Sequence, residues 1–288
     1  MVDRGVEFAV GRDAIPGDAL ERVAAFACQR IVTVSEYHRR WAADLRITRA
    51  QKVVAIPNGI PLDRVQVDRG REAVRQELGI GADTRMLLST GRLAESKGLA
   101  YLLHAAQLLR NELKVPFTLV CAGTGPHQAD LEKLVRDLDL REVVTFLGFR
   151  NDIGDLLAAS DIVVLPTLRE GLSIALLEAM AAAKPIITTN IGSNVEATQN
   201  GRAALLVPAR DAAALAKAIR HFANDAALRL SKSVNAKEIF DQHYTEDRML
   251  ESYRAQYLDL LQLERAPASA IARRVSASPR VYRSEGSL

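Results

Sequence analysis

The sequence predicts an α/β fold, a doubly wound parallel sheet preceded by an incomplete α/β portion. From Arg71 onward, short apolar segments of strand length alternate with longer segments of helical periodicity. The connections between them are short, as they are between strands and helices of a parallel sheet. We find no internal repeat of fixed period.

The elements after residue 70 follow in regular order. Strands are predicted at 86–90, 116–121, 143–147, 161–165, 185–189 and 203–207. Helices are predicted at 71–78, 98–110, 126–138, 152–159, 172–182, 211–223 and 225–239. A last helix opens at Thr245, with acidic residues in its first turn, and runs to about Leu263.

The region before residue 71 contains fewer elements. Helices are predicted at 20–28 and 36–45, and strands at 30–35 and 51–56. The second strand ends in Pro57-Asn58-Gly59-Ile60-Pro61, where Asn-Gly between prolines predicts a turn.

Composition indicates a globular chain. Its 288 residues, 48% hydrophobic and 25% charged, can bury a sizeable core in one large or two ordinary domains. A net charge of +3 is too small to indicate that the chain binds nucleic acid. Cys28 and Cys121 are predicted to be buried free thiols, which fits a reducing compartment. With no signal peptide and no apolar run of membrane-spanning length, we expect a cytoplasmic chain, membrane-peripheral at most.

Two segments have the composition of an interfacial anchor. One is the segment His38-Arg39-Arg40-Trp41 with Arg46, which carries cations and an indole, and the other is the arginine-rich tail after Glu264. We favour solvent exposure for both, and we expect the tail to be disordered because it has few large apolar residues.

The segment 169–180 carries two glutamates around the start of a helix. It follows a buried strand, 161–165, and Gly171 allows a sharp entry into the helix. Glu178 lies among apolar residues, where a carboxylate needs a hydrogen-bond donor such as a sugar or ribose hydroxyl. Alternatively, Glu170 is only a charge near a helix N-terminus, and Glu178 pairs with a basic neighbour.

The spacing resembles a known signature. Glu170, seven residues, Glu178 and then Ala-Met-Ala-Ala-Ala-Lys-Pro-Ile-Ile are similar to the donor site of the retaining, nucleotide-sugar-dependent family 4 (group 1) glycosyltransferases. The loop glycine, the helix and the Lys184-Pro185 turn occur in the family's order. The resemblance implies a GT-B fold, with Glu170 on the hydroxyls of the donor sugar and Glu178 on the ribose.

A second loop, Gly91 to Gly98, follows the strand 86–90 and carries Arg92 and Lys97. These cations lie where parallel sheets bind ligands and could neutralise a diphosphate without a metal ion. The resemblance places an Arg and a Lys at these positions, where they would stabilise the leaving diphosphate. The alternative is a solvated pair of cations beside a helix start.

Backbone amides complete the expected donor site. Those of Leu172 and Ser173, near a helix N-terminus, would add to phosphate binding. The expected site therefore needs no cofactor and no metal, since the nucleotide sugar is itself a substrate.

Two further loops follow the strands at 116–121 and 143–147. Neither has the Gly-x-Gly-x-x-Gly spacing of a dinucleotide fingerprint, so an NAD-binding domain is a poor interpretation. The resemblance places the nucleotide base near Gly148, which makes Phe149 and Arg150 candidate neighbours of the base. The alternative is an ordinary loop.

The resemblance also implies a domain organisation. Residues 1–62 correspond to a remnant of the N-terminal acceptor domain and the linker, and 63–243 to the donor domain. Residues 244–263 are a C-terminal helix, and 264–288 are a tail. Pro61 displaces the usual Asp after Asn-Gly-Ile, and Asp63 is the nearest carboxylate.

Most of an acceptor domain is expected to be absent. Its glycine-rich first loop and its histidine have no counterpart upstream of Arg30, and His38 lies in a later helix. Met1 would then be an internal or misassigned start, a fragment boundary, or the start of a shortened subunit that works with a partner chain.

The resulting expectation is a metal-independent transfer of sugar, with retention, to a carbohydrate or lipid-linked acceptor hydroxyl. Polysaccharide or glycoconjugate biosynthesis is the expected context. One alternative is a non-catalytic donor-binding module, or half of a two-chain enzyme. Another is a sugar-nucleotide epimerase on the same fold, which would need acid/base carboxylates and histidines that we cannot place.

Overall fold

The structure, a computed structural model, describes residues 22, 24–113 and 115–261. The chain divides into a unit that ends at Met249 and a second that begins at Leu250. The site described below lies in the first unit. The tail 264–288 and the first part of the helix predicted at 20–28 lie outside the described residues.

A small parallel sheet opens the described chain. Strand β1 (Ile31–Thr33) pairs in parallel with β2 (Val53–Ala55), and helix α1 (Glu36–Asp44) connects them. Strand β1 is shorter than predicted because Ser35 is the N-cap of α1 and accepts a hydrogen bond from the His38 N–H. Strand β2 begins later than predicted because Ala50–Lys52 forms a 3₁₀ helix. We call residues 31–56 the N-terminal segment.

The large sheet has six parallel strands in the order β5-β4-β3-β6-β7-β8 within the described residues. These strands are β3 (Arg85–Thr90), β4 (Phe117–Ala122), β5 (Val144–Gly148), β6 (Ile162–Leu165), β7 (Ile186–Thr189) and β8 (Leu205–Val207). The predicted parallel α/β fold is confirmed.

Helices follow the strands as predicted, and one short helix was missed. They are α2 (Arg71–Glu77), α3 (Leu99–Glu112), α4 (Gln128–Asp137), α5 (Ile153–Ala159), α6 (Ile174–Ala181), α7 (Gly192–Ala197), α8 (Ala212–Asn224), α9 (Ala226–His243) and α10 (Glu246–Leu260). The missed helix is α7. Among the described residues, no helix combines the length and the apolar character needed to cross a bilayer.

Two apolar clusters cover the faces of the sheet, as continuous apolar strands require. Along β3, Met86 and Leu88 join α2, α5, α6 and α9 on one face, whereas Leu87 joins α3, α4 and α8 on the other. The sheet is therefore doubly wound. Cys121 is buried in the second cluster, and burial raises the pKa of its thiol to about 12.

The prediction that Cys28 is buried is wrong. Cys28 is exposed, because Ala25 alone among residues 24–28 is turned into the interior. The Cys28 carbonyl accepts a hydrogen bond from Lys52 Nζ at 2.8 Å.

The strand order creates a crevice at one edge of the sheet. β3 and β6 are neighbours, with Leu87 opposite Ile162, but the chain leaves β3 toward one face and β6 toward the other. Their carboxyl ends therefore diverge, and ligands of open α/β sheets bind where this happens.

Candidate functional site

The crevice between the ends of β3 and β6 collects several of the predicted residues. It is lined by Ser89, Thr90, Gly91, Arg92, Leu93, Lys97, Leu99, Leu165, Pro166, Thr167 and Ser173. The structure thus places Gly91, Arg92, Lys97 and Ser173 around one opening, although up to 82 residues separate them along the chain.

Backbone contacts join the two loops that form the crevice. The Leu168 N–H donates to the Ser96 carbonyl at 2.7 Å. Gly98 has a φ of +67°, and a Cβ there would lie 2.1 Å from the Pro166 carbonyl oxygen. Only glycine permits both this conformation and this approach. The loops are therefore held in register, which places Lys97 beside Glu170.

Lys97 and Glu170 form the central ion pair of the site. Lys97 Nζ donates to Glu170 Oε1 at 2.5 Å, and the side chains are 25% and 19% exposed. The second oxygen of Glu170, Oε2, is buried and has no hydrogen-bond partner among the described residues. A buried carboxylate oxygen without a donor is costly. A ligand hydroxyl would satisfy it.

Two kinds of anion-binding group flank this pair. Arg92 is exposed, and among the described residues its guanidinium has no hydrogen bond or ion pair. At the start of α6, Ser173 is the N-cap and accepts from the Leu176 N–H. The backbone N–H groups of Leu172 and Ser173 donate to no acceptor in the described part of the chain. Free N–H groups at a helix start favour a bound anion.

Glu178 lies inside α6 and is almost fully buried. Its Oε1 accepts a short hydrogen bond from Arg64 Nε, which belongs to the 3₁₀ turn Leu62–Val65. Burial raises the pKa of Glu178, and Arg64 opposes that rise. Oε2 has no hydrogen bond within the described residues. Glu178 thus has one oxygen fixed by a cation, and its other oxygen meets no donor in the described part of the chain.

The Arg64 contact makes a testable contribution to stability. We expect Arg64→Ala to lower the free energy of unfolding by about 1 kcal/mol at pH 7, a modest value because Arg64 is about half exposed. Without Arg64 the pKa of Glu178 rises further, so the folded variant retains a proton that the unfolded chain has lost. Stability then falls as pH rises above the ordinary Glu pKa, and the deficit of the variant should shrink toward pH 4.5.

Urea titrations at pH 4.5 and 7 measure this difference. Arg202→Ala removes an ion pair to Glu238 in which both side chains are nearly half exposed, so it serves as the matched control. Arg202→Ala should lower the free energy of unfolding by less than about 0.5 kcal/mol. A deficit in Arg64→Ala that is independent of pH would show that Arg64 does not stabilise the Glu178 carboxylate.

The predicted base-binding residues lie at the end of β5, two strands from β3. Phe149 is 72% exposed, so its ring is accessible. Arg150 is already engaged, with Nε donating to Asp152 at 2.7 Å and Nη1 to Glu77 at 2.8 Å. Gly148 accepts from the Gly123 N–H at 2.7 Å, which ties this loop to the loop after β4. Neither Phe149 nor Arg150 lines the crevice itself.

Three contacts around the candidate site were missing from the sequence interpretation. Arg64 reaches Glu178, Ser193 Oγ donates to the Glu170 carbonyl at 3.0 Å, and Glu196 contacts the N-terminal segment. Ser193 and Glu196 belong to α7, the missed helix. The available signal was the polar run after the strand at 185–189, which is too short to show helical periodicity.

Comparison with protein families identifies the family to which the chain belongs. The sequence model of "Glycosyl transferases group 1" matches residues 70–239, more than half of the chain. The chain therefore belongs to the group 1 glycosyltransferase family. The matched region contains Arg92, Lys97, Glu170 and Glu178.

Two curated relatives illustrate the similarity. A D-inositol 3-phosphate glycosyltransferase of Kineococcus radiotolerans is 31% identical over 81% of this chain and 59% of its own length. The UDP-Gal:alpha-D-GlcNAc-diphosphoundecaprenol alpha-1,3-galactosyltransferase of Escherichia coli is 26% identical over 84% of this chain and 63% of its own length. The chain thus spans about three fifths of each of these relatives.

Solved structures share the fold. Anabaena HepE in complex with UDP and glucose superposes with a TM-score of 0.76, at 22% identity, over 83% of this chain and 67% of that chain. This similarity confirms the α/β architecture of a GT-B glycosyltransferase domain.

Proposed function

We propose that the chain binds a nucleotide-diphosphate sugar and transfers its sugar to an acceptor hydroxyl. The observation that carries the proposal is the buried Oε2 of Glu170 beside the crevice, which has no donor among the described residues while Lys97 holds Oε1. A sugar hydroxyl supplies the missing donor. Cations and free amides for a diphosphate lie next to it.

Each group has a distinct role in this proposal. Arg92, Lys97 and the amides of Leu172 and Ser173 bind the diphosphate and stabilise the charge that develops as the sugar–phosphate bond breaks. Glu170 orients the sugar, and Glu178 accepts from ribose hydroxyls. Three glycines lack side chains that would keep the ligand from the backbone: Gly91, Gly148 and Gly171. The exposed ring of Phe149 contacts the base.

Retention of anomeric configuration and independence of metal are part of the proposal and follow the family resemblance. Arg92 and Lys97 both line the crevice proposed for the diphosphate, where Lys97 is shared with Glu170 and Arg92 has its charge available, so side chains supply positive charge that a divalent ion would otherwise provide. The nucleotide sugar is a substrate in this scheme, and no cofactor takes part.

A carbohydrate or lipid-linked acceptor, and a role in polysaccharide or glycoconjugate biosynthesis, are proposed by analogy. The name of the Escherichia coli relative specifies a diphosphoundecaprenol acceptor, and HepE was solved with UDP and glucose. We choose UDP and UDP-glucose as probes for this reason. The acceptor side would be completed by a further domain or a partner chain.

A second candidate is a donor-binding module without turnover of its own. The N-terminal segment favours it, because its sheet has two strands in the described residues and small parallel sheets seldom stand alone. Incubation with UDP-glucose separates the candidates. Slow release of glucose indicates a transferase, binding without turnover indicates a module, and an epimerised nucleotide sugar indicates an epimerase.

The diphosphate site is tested by calorimetry with UDP in excess EDTA. We expect binding to persist in EDTA. Arg92→Ala should weaken it by about 1.5 kcal/mol, the low end for charged hydrogen bonds because Arg92 is exposed. Arg141→Ala, an exposed arginine in the loop before β5, is the matched control and should bind as the wild type does. Loss of binding in EDTA would contradict metal independence.

A further inference from the structure

The N-terminal segment contacts the loop that carries Glu170 and also the first residue of α7. Val34 Cγ2 lies against Gly171, where it would be 2.9 Å from an added Cβ. The Tyr37 ring covers Gly192, the first residue of α7, and its Cδ2 and Cε2 would be 2.2 Å from a Cβ there. Gly192 is not among the residues with positive φ, and the three atoms nearest to an added Cβ all belong to the Tyr37 ring.

Glu196 of α7 fastens the N-terminal segment in this place. Its Oε1 accepts from the Glu36 N–H at 2.7 Å, and its Oε2 accepts from the Tyr37 N–H at 2.6 Å. Both N–H groups belong to the first turn of α1, where no intrahelical acceptor is available. A carboxylate at a helix N-terminus is favoured both by charge-assisted hydrogen bonds and by the helix dipole.

These contacts converge on the backbone of Glu170. Gly171, which Val34 covers, is the next residue along the chain. Ser193, which follows the Gly192 covered by Tyr37, donates through Oγ to the Glu170 carbonyl at 3.0 Å. The backbone of Glu170 is therefore linked to two positions beside which the N-terminal segment packs, Gly171 and α7.

We propose that Glu196 is a positioning residue for the donor sugar. By holding the first turn of α1, it keeps Val34 and Tyr37 packed on Gly171 and α7, and so keeps Oε2 of Glu170 oriented for a sugar hydroxyl. The inference rests on the proposed function, because it assigns the sugar to Glu170. It couples the N-terminal segment to recognition of the sugar but leaves recognition of the nucleotide unchanged.

The first test is Glu196→Ala in the full chain. Hydrogen exchange at the amides of Glu36 and Tyr37 should accelerate, since both lose their acceptor. Calorimetry should show UDP-glucose affinity reduced by about tenfold and UDP affinity within about twofold of the wild type. Glu196→Gln keeps one carbonyl acceptor and should fall between the wild type and Glu196→Ala.

A second test approaches the same contact from the other side. Gly192→Ala forces the Tyr37 ring away, and it should also weaken the binding of UDP-glucose more than the binding of UDP. In a Tyr37→Ala background the added methyl has room, so Gly192→Ala should then leave the affinity for UDP-glucose almost unchanged. This non-additivity would show that the two residues act through one contact.

Several outcomes would overturn the inference. Equal losses of UDP and UDP-glucose affinity in Glu196→Ala would indicate a general structural role. Unchanged UDP-glucose affinity despite faster exchange would show that the N-terminal segment does not position Glu170. If the wild type binds UDP but not UDP-glucose, or neither, the proposed function fails for this donor and the inference fails with it.

Discussion

Gly123→Ala is expected to lower the free energy of unfolding by about 3 kcal/mol or more. Gly123 has a φ of +142°, and a Cβ there would lie 1.9 Å from the Gly91 carbonyl oxygen. Neither loop can move away easily, because the Gly91 N–H donates to Ala122 and the Gly123 N–H to Gly148. The variant must therefore break backbone hydrogen bonds between the loops after β3, β4 and β5.

Gly79→Ala is the matched control for this prediction. Gly79 also has a positive φ, +66°, but no atom lies within 4 Å of an added Cβ. Gly79→Ala should lower the free energy of unfolding by about 1 kcal/mol, which is the strain of the left-handed conformation alone. Urea unfolding followed by circular dichroism measures both variants, with equal m-values required for the comparison. Equal losses in the two would show that the contact of Gly123 with Gly91 is not limiting.

Much of the fold was predictable because the pattern of the large sheet is strong. Its strands are apolar on both faces and its helices are amphipathic or apolar, so period and length alone separate the two. Helix α7 was missed because six residues, Gly192–Ala197, are too few to establish a period. The first N-terminal strand was predicted too long because Ser35 is an N-cap, and the second because Ala50–Lys52 forms a 3₁₀ helix.

The site was only partly predictable, since its contacts join residues far apart in sequence. Lys97 and Glu170 were both identified, but their ion pair depends on β3 and β6 being neighbours, a strand order that local patterns do not determine. The sequence likewise suggested a basic neighbour for Glu178 as an alternative but could not name Arg64, 114 residues away. In each glutamate Oε1 is bound by a cation and Oε2 meets no donor among the described residues, and this difference between the two oxygens is visible only in the structure.

This difference predicts that substitutions of the two glutamates should affect ligand affinity differently. Glu178→Gln should weaken both UDP and UDP-glucose by about 1.5 to 3 kcal/mol, because the ribose is common to both ligands. Glu170→Gln should lower only UDP-glucose affinity or turnover, by a similar amount, because UDP has no sugar to reach Oε2. Since Glu170→Gln also releases Lys97 from its counter-charge, UDP affinity should hold or rise slightly.

Titration of both variants with both ligands gives four affinities that must fit one pattern. Glu238→Gln, which removes an exposed carboxylate on α9, controls for the change in net charge and should leave all affinities unchanged. A Glu178→Gln variant that binds UDP normally would mean that Glu178 serves only the ion pair with Arg64. Equal losses of UDP affinity in the two glutamate variants would contradict the separate assignments, because Oε2 of Glu170 would then contact the nucleotide and not the sugar.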